Sequence, residues 1–305
     1  MIPTLRLGLC VIFISGLVST PLDGQELRLD ESSSGTIERL LDRINRDRER
    51  HGAAPVRLDA RLSELASLRC ARLIDDQTRG HYTTDGLPPY LRYSMAHVYD
   101  YISENVASWT TRRPIPDSAV EDLVLKSHNE MVTEIPPVNG HRKTILDPWA
   151  THVGLGYAID GGELRFIEIF ARRYVSWRLE PPSIVVADGT LDLAGQIDAS
   201  MSLREVSIHW EPPPRPLLPK QADAIHSYGF PSRVRVIRNE TSTKSSSFQL
   251  SVPLDRGPGI YTIVTHLSPR GTDHPIEAST ISVVAMPPDG ASISRSSRTE
   301  AGSHD

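Results

Sequence analysis

The sequence of 305 residues has little cysteine, no long hydrophobic run and no block of like charge. Its two cysteines are Cys10 and Cys70, so removal of a leader containing Cys10 would leave no possible intrachain disulfide. We therefore expect a fold that depends on its hydrophobic core. The 33 basic and 38 acidic residues are mixed along the chain. Because no basic stretch could follow a phosphate backbone, we expect no nucleic acid partner.

An apolar run does occur at the N-terminus, from Leu7 to Val18, directly after Arg6. It is too short to span a bilayer and is typical of a secretory signal peptide, which we assign to residues 1–24. This predicts a secreted or periplasmic protein with no transmembrane segment in the mature chain. The remaining length exceeds one ordinary core and favours two domains.

Helical periodicity dominates the first half of the chain. After a polar segment at residues 25–35, apolar residues at helical spacing predict a first helix that begins near Gly35. Asp59 is placed to cap a second helix, whose apolar face includes Cys70 as a buried residue. A third helix is expected to start at Asp117 or Ser118. Two apolar strands, 153–159 and 164–170, are then joined by a hairpin signal, which predicts an α+β domain over residues 36–175.

The stretch between the third helix and the hairpin carries polar side chains that packing alone does not explain. Because Ile135 precedes Pro136-Pro137, the helix should end near Glu134. The helix dipole disfavours a carboxylate there by roughly 0.3–1 kcal/mol, which favours a nearby donor, cation or metal. His141, expected in a loop after Asn139-Gly140, is one candidate. The alternative is that Glu134 faces water.

Several short motifs in this half occur in a characteristic order. They are the helical segment Leu41 to Asn45, Gly-His-Tyr-Thr at 80–83, Ser-Glu-Asn-Val-Ala at 103–107, Asn-Gly-His-Arg-Lys-Thr-Ile-Leu at 139–146 and Thr-His-Val-Gly-Leu-Gly at 151–156. Together they resemble the CAP superfamily of cysteine-rich secretory, antigen 5 and pathogenesis-related-1 proteins, and especially its bacterial SCP-like branch. The resemblance covers roughly residues 36–174.

The resemblance implies an α-β-α sandwich with a groove lined by two histidines and two glutamates. Carried over motif by motif, these residues are His81, Glu104, Glu134 and His141. Glu130 is the alternative to Glu134, because the proline pair alters the usual spacing. The sequence departs from the family pattern in lacking the disulfides of eukaryotic members and in having Met131 at the position of a helix-end aromatic.

Two imidazoles and two carboxylates facing one cleft can bind a divalent metal, with Zn2+ the best match, or a small-molecule, lipid or cell-envelope ligand. Our leading hypothesis is such a binding role without catalysis. A metal-dependent hydrolase of peptide, ester or cell-wall bonds is the alternative, with Glu104 or Glu134 as general base. His-Glu-x-x-His and Gly-x-Ser-x-Gly motifs are absent, and the His128-Asn129-Glu130 segment lacks the cysteine pair of a zinc deaminase.

The second half changes to short strands separated by Gly, Pro, Asp and Ser turns. We predict a linker at residues 176–182, an immunoglobulin-like β-sandwich at 183–286 and a disordered tail at 287–305. The proline-rich segment 212–219 is interpreted as a long loop between strands, with a polyproline ligand as the alternative. A third functional hypothesis makes this sandwich an adhesion or interaction module. The oligomeric state is not predicted.

Overall fold

The structure, a computed structural model, describes residues 31–238 and 246–288. The predicted signal peptide and residues 289–305 of the predicted tail lie outside these ranges. The first domain contains helices and a sheet, and the second consists mainly of strands. The helices of the first domain are α1 (Glu31–Arg50), α2 (Ala60–Asp75), α3 (Pro89–Met95), a 3-10 turn (Asp117–Ala119) that leads into α4 (Val120–Val132), and α5 (Gly140–Ile145).

The sheet of the first domain has the order β1-β3-β4-β2. Its short first strand pairs parallel with β3, and the other neighbours pair antiparallel. The strands are β1 (Arg57–Leu58), β2 (Tyr101–Thr110), β3 (His152–Asp160) and β4 (Glu163–Arg172). The predicted hairpin is therefore confirmed as the β3–β4 turn, and β2 forms an edge of the sheet.

Both faces of this sheet are covered by helices, as the alternation along β4 shows. Phe166 and Phe170 belong to a core with Leu40 of α1 and Val124 of α4. Ile167 and its same-face neighbours Ile169 and Ala171 pack instead against α2, in a second core that includes Cys70. Since side chains alternate across a strand, burial on both faces explains the continuous apolar run of β4. The predicted α-β-α arrangement is confirmed.

Helix α2 lies unusually close to the sheet. A side chain on Gly156 would place its Cβ 2.3 Å from the backbone nitrogen of Ser67, so only glycine fits there. The helix begins as predicted, with the Asp59 carboxylate accepting a hydrogen bond from Leu62 N at 2.9 Å. Cys70 is fully buried, and burial raises the pKa of its thiol. It is a core residue, as expected.

Several predicted boundaries were wrong. Helix α1 begins at Glu31, so Gly35 lies inside it rather than at its cap. The cost of one helical glycine is only about 1 kcal/mol, which the flanking turns can absorb. His141 lies in α5 rather than in a loop. Val175–Trp177, which spans the predicted boundary between the first domain and the linker, forms a strand, β5, that pairs with β7 of the second domain.

The second domain is a sandwich of two sheets, with the orders β10-β7-β5 and β6-β12-β11-β8-β9. Leu193 of one sheet and Ile208, Tyr261 and Val283 of the other share one core, which confirms the predicted all-β sandwich. After β5, its strands are β6 (Ile184–Val186), β7 (Thr190–Ile197), β8 (Met201–Glu211), β9 (Arg233–Arg238), β10 (Ser247–Pro253), β11 (Gly259–Pro269) and β12 (Ile276–Met286), and a short helix, α6 (Pro219–Asp223), lies between β8 and β9.

The two domains pack closely against each other. A β-bridge joins Asp100 to Ser279, and Thr280 N donates to the Tyr99 carbonyl at 3.0 Å. Helix α3 packs on β12, and Leu91 of α3 shares an apolar cluster with Ile260 of β11. The long β8–β9 connection, residues 212–232, also contacts the first domain, because Leu217 N donates to the Thr84 carbonyl at 2.9 Å and Asp223 Oδ1 accepts from Arg79 N at 2.7 Å. Its proline-rich start is a loop between strands, as predicted.

Candidate functional site

His81 and Glu104 form the first of two histidine–glutamate pairs. His81 lies in the loop between α2 and α3, and Glu104 lies in the edge strand β2. The Nδ1 atom of His81 is 3.0 Å from Oε1 of Glu104. Within the described residues, Nε2 of His81 has no hydrogen-bond partner. The carboxylate therefore fixes the ring orientation and leaves the second ring nitrogen available for a ligand.

Glu104 is the most strongly bound carboxylate of this region. Its Oε2 atom accepts hydrogen bonds from Arg69 Nε at 3.2 Å and from the Tyr93 hydroxyl at 2.6 Å. Burial alone would raise its pKa, but Arg69, His81 and Arg92 reverse this effect and lower the pKa of Glu104 to about 2. The group is therefore ionised throughout the physiological pH range. Arg69 also donates to the His81 carbonyl at 2.5 Å, which holds the loop in place.

His141 and Glu134 form the second pair. His141 Nδ1 lies 2.6 Å from Glu134 Oε1, while Glu134 Oε2 accepts from the backbone N–H groups of His141 and Arg142 at 3.0 and 3.4 Å. The Glu134 carboxylate thus meets the positive end of α5, where the helix dipole favours it. Glu130 instead lies 3.9 Å from Lys126 on the exposed face of α4. The glutamate that contacts His141 is therefore Glu134.

Asn105 connects the strand of the first pair to the helix of the second. It follows Glu104 in β2, and its Nδ2 donates to the His141 carbonyl at 3.2 Å. The Asn105 side chain is fully buried, yet its Oδ1 has no hydrogen-bond partner among the described residues. A buried amide oxygen without a partner is uncommon in proteins. No contact joins His81 directly to His141 in the described residues.

A residue of the second domain covers the first pair. Tyr228, from the β8–β9 connection, has its ring centroid 4.8 Å from that of His81 in an edge-on arrangement. Its hydroxyl accepts the Glu104 backbone N–H at 2.7 Å, which satisfies a donor on the exposed edge of β2. The His81 side chain is 12% exposed as a result, compared with 38% for His141.

The described ranges contain no group of three or more His, Cys, Asp or Glu side chains close enough to hold a metal together. The structure therefore brings His81 to Glu104 and His141 to Glu134, as two pairs rather than as one cluster of four. A metal site made of all four residues stays a prediction. At most, the two free imidazole nitrogens would supply protein ligands directly, with both carboxylates behind them.

A buried cluster around His128 was missed by the sequence reasoning. His128 Nδ1 lies 2.7 Å from Glu168 Oε1, and its Nε2 lies 3.3 Å from Asp47 Oδ2. Burial alone would lower its pKa, but Glu168 and Asp47 raise the pKa of His128 above its ordinary value. Glu168 also accepts from Asn105 Nδ2 at 3.1 Å, so the cluster adjoins the candidate site. The signal was its position on the apolar face of α4, four residues after Val124.

The model of the cysteine-rich secretory protein family, CAP, matches residues 41–171. This segment contains both histidine–glutamate pairs, and its helices and sheet have the layered arrangement described above. The first domain is therefore a CAP domain.

Three bacterial proteins are similar to this chain. The Bacillus subtilis (strain 168) protein YkwD, described as uncharacterized, is 28% identical over 131 residues, which cover 43% of this chain and 45% of that protein. An extracellular SCP-domain protein of Bacillus anthracis is 20% identical with a TM-score of 0.36, covering 46% of this chain and 41% of that one. An outer surface protein of Borrelia burgdorferi is 18% identical with a TM-score of 0.35, covering 49% of this chain and 98% of that one. The chain thus spans less than half the length of YkwD.

Across residues 31–238 and 246–288, every helix is too short or too polar to cross a bilayer.

Proposed function

We propose that the CAP domain is a non-catalytic binding domain in which His81 and His141 hold a divalent transition metal, with Zn2+ the best match. The observation that carries the proposal is shared by both histidines. Each directs Nδ1 to a glutamate, at 3.0 Å for His81 and 2.6 Å for His141. Metal-binding histidines in proteins commonly have this arrangement, because the carboxylate fixes the tautomer that presents Nε2 to the metal.

The types of residue present suit a weakly held metal, because imidazole nitrogens are good ligands for zinc and related divalent ions. A bound divalent ion would supply Lewis acidity and exchangeable coordination positions. Glu104 and Glu134 would orient the imidazoles and make their ring nitrogens more basic. With only two protein nitrogens, we expect micromolar rather than nanomolar affinity.

The chemistry of Glu104 argues against catalysis. A general base is most effective when its pKa lies near the working pH, whereas the pKa of Glu104 is about 2. Its oxygens are also engaged by Arg69, Tyr93 and His81. A carboxylate so well satisfied has little tendency to take a proton from water. This argues against Glu104 as the general base of the hydrolase alternative.

Tyr228 restricts what can reach His81. With the ring 4.8 Å from that of the histidine, a metal ion with small ligands can be accommodated more readily than an extended lipid or peptide. This favours the metal over the lipid or cell-envelope ligand. We further propose an extracytoplasmic location, which the N-terminal apolar run and the family of secretory proteins both support.

Titration calorimetry with Zn2+ tests the proposal on the chelator-treated chain. We expect micromolar binding that is lost in a His81→Ala, His141→Ala double variant. Glu134→Gln should weaken binding by about 10- to 100-fold, the usual effect of removing a carboxylate behind a histidine ligand. The matched control is His97→Ala. His97 also contacts a glutamate, Glu180, at 2.8 Å, but lies outside the site.

Binding that survives in the double variant, or that is lost equally in the His97 control, would contradict the assignment. Circular dichroism and thermal melting of every variant would separate a lost ligand from a lost fold.

A further inference from the structure

A cavity lies between the two domains and does not include His81 or Glu104 in its lining. Its volume is about 110 Å³. Aromatic rings from three parts of the chain surround it: Tyr90 and Tyr93 of α3, Tyr101 of β2, and Tyr228 and Phe230 of the β8–β9 connection. The Phe230 centroid is 5.4 Å from that of Tyr90 and 6.3 Å from that of Tyr101. The rings thus form a continuous wall made by both domains.

The polar groups of the lining include two carboxylates. Asp100 and Glu277 both line the cavity, and no lysine or arginine does. Arg173 pairs with Oδ2 of Asp100 at 2.9 Å, and Arg172 pairs with Oε2 of Glu277 at 3.3 Å. In the described residues the second oxygen of each carboxylate has no partner. These oxygens can accept further hydrogen bonds from a donor in the cavity.

The electrostatics favour a positive occupant. The pKa of Asp100 is raised, because burial and the nearby Asp59 carboxylate outweigh the ion pair with Arg173, which lowers it. The negative charge of Asp100 is therefore only partly balanced by Arg173. Aromatic faces attract cations, and one ring here already does so, because the Arg172 guanidinium lies 4.5 Å from the Tyr101 centroid.

We propose that this interdomain cavity binds a small organic ammonium ion. The ammonium group donates to the carboxylates of Asp100 and Glu277, while its carbon atoms contact the aromatic rings. The size is suitable, because a protein cavity of about 150 Å³ holds benzene, and a short alkylammonium is smaller. Glu277, whose side chain is 41% exposed, lies on the solvent side of the site.

Saturation-transfer NMR with the full chain tests this with three probes of similar shape: propylammonium, propanol and propionate. We expect millimolar binding of propylammonium and at least about tenfold weaker binding of the other two. Nα-acetyllysine methylamide, as a fourth probe, separates a peptide lysine from a free amine as the source of the ammonium group. Equal signals from propanol and propylammonium would overturn the proposal, as would no binding at about 50 mM, which would mean that the cavity holds only water.

Variants locate the binding in the cavity. Asp100→Asn removes the carboxylate charge with little change of shape and should weaken propylammonium binding about fivefold, the usual effect of one hydrogen bond. Thr280→Val is the matched control, because Thr280 lines the cavity while its hydroxyl oxygen is sealed from the cavity space, and it should leave the affinity unchanged. If the affinity of Asp100→Asn equalled that of the unaltered chain, the ligand would lie elsewhere and the site would be refuted.

Discussion

Replacing Tyr228 by alanine should uncover His81. The side chain now contributes an edge-on ring contact with His81 and accepts the Glu104 N–H at 2.7 Å. Losing a hydrogen bond of this kind costs about 1 kcal/mol, and losing the aromatic contact adds about 1 kcal/mol. With the apolar area also lost, we expect a destabilisation of about 3 kcal/mol. That is large but leaves a typical domain folded.

The assay is carbethoxylation of histidine by diethyl pyrocarbonate, followed at each site by peptide mass spectrometry. His141 serves as an internal reference, because its exposed fraction of 38% is about three times the 12% of His81. In the chain without substitutions, His81 should react several-fold more slowly than His141. In Tyr228→Ala the His81 rate should rise to about that of His141, while the His141 rate stays constant.

Tyr228→Phe is the matched control. It keeps the ring over His81 and should therefore leave the His81 rate unchanged, but it deprives Glu104 N of its acceptor and should cost about 1–3 kcal/mol. The reasoning is refuted if Tyr228→Ala leaves the His81 rate unchanged in a chain that is still folded. The result does not depend on metal binding, so it stands or falls separately from the proposed function.

Two further predictions concern pH. The pKa of Glu104 is lowered to about 2 from its ordinary 4.5, so the stabilisation by its carboxylate is present above pH 4.5 and lost as the pH falls towards 2. Urea unfolding should show a loss of about 3 kcal/mol in the free energy of unfolding over this range, and Glu104→Gln should abolish that pH dependence. The same loss in the variant would contradict the prediction. The pKa of His128 is raised above 6.5, so its stabilisation is present below 6.5 and lost as the pH rises through the folded value. The melting temperature of wild type minus that of His128→Gln should therefore shrink between about pH 6 and about pH 9, and a constant difference would show that Glu168 and Asp47 do not hold a charged imidazole.

The fold could be predicted largely because hydrophobic periodicity is a local property. The apolar faces of α1, α2 and α4 and the runs of β3 and β4 are visible in the sequence. Strand β2 could not be recognised in the sequence, because Ser103, Glu104 and Asn105 interrupt its apolar pattern where the strand carries the site. Helix α5 has only six residues, too few for a periodic signal, and it follows Asn139-Gly140, which reads as a turn.

The candidate site was predictable in part, because its motifs are also local in the sequence. Family motifs mark the two histidines and Glu104, and the helix-end argument indicates that Glu134 needs a donor, which the structure supplies from α5 and His141. Tyr228 lies 124 residues after Glu104, and no local pattern marks it as part of the groove. Contacts set by the packing of two domains depend on tertiary geometry, so single-sequence reasoning does not reach them.

The packing of the domains also determines which piece of the chain is informative in isolation. A fragment ending near Tyr174 would retain every family motif, yet it would lose the strand partner of Asp100 and the cover on Leu91 that Ile260 provides. It would present a newly exposed apolar face on α3 and an open groove beside His81. Ligands that bind to such a fragment could occupy surfaces that are covered in the intact chain.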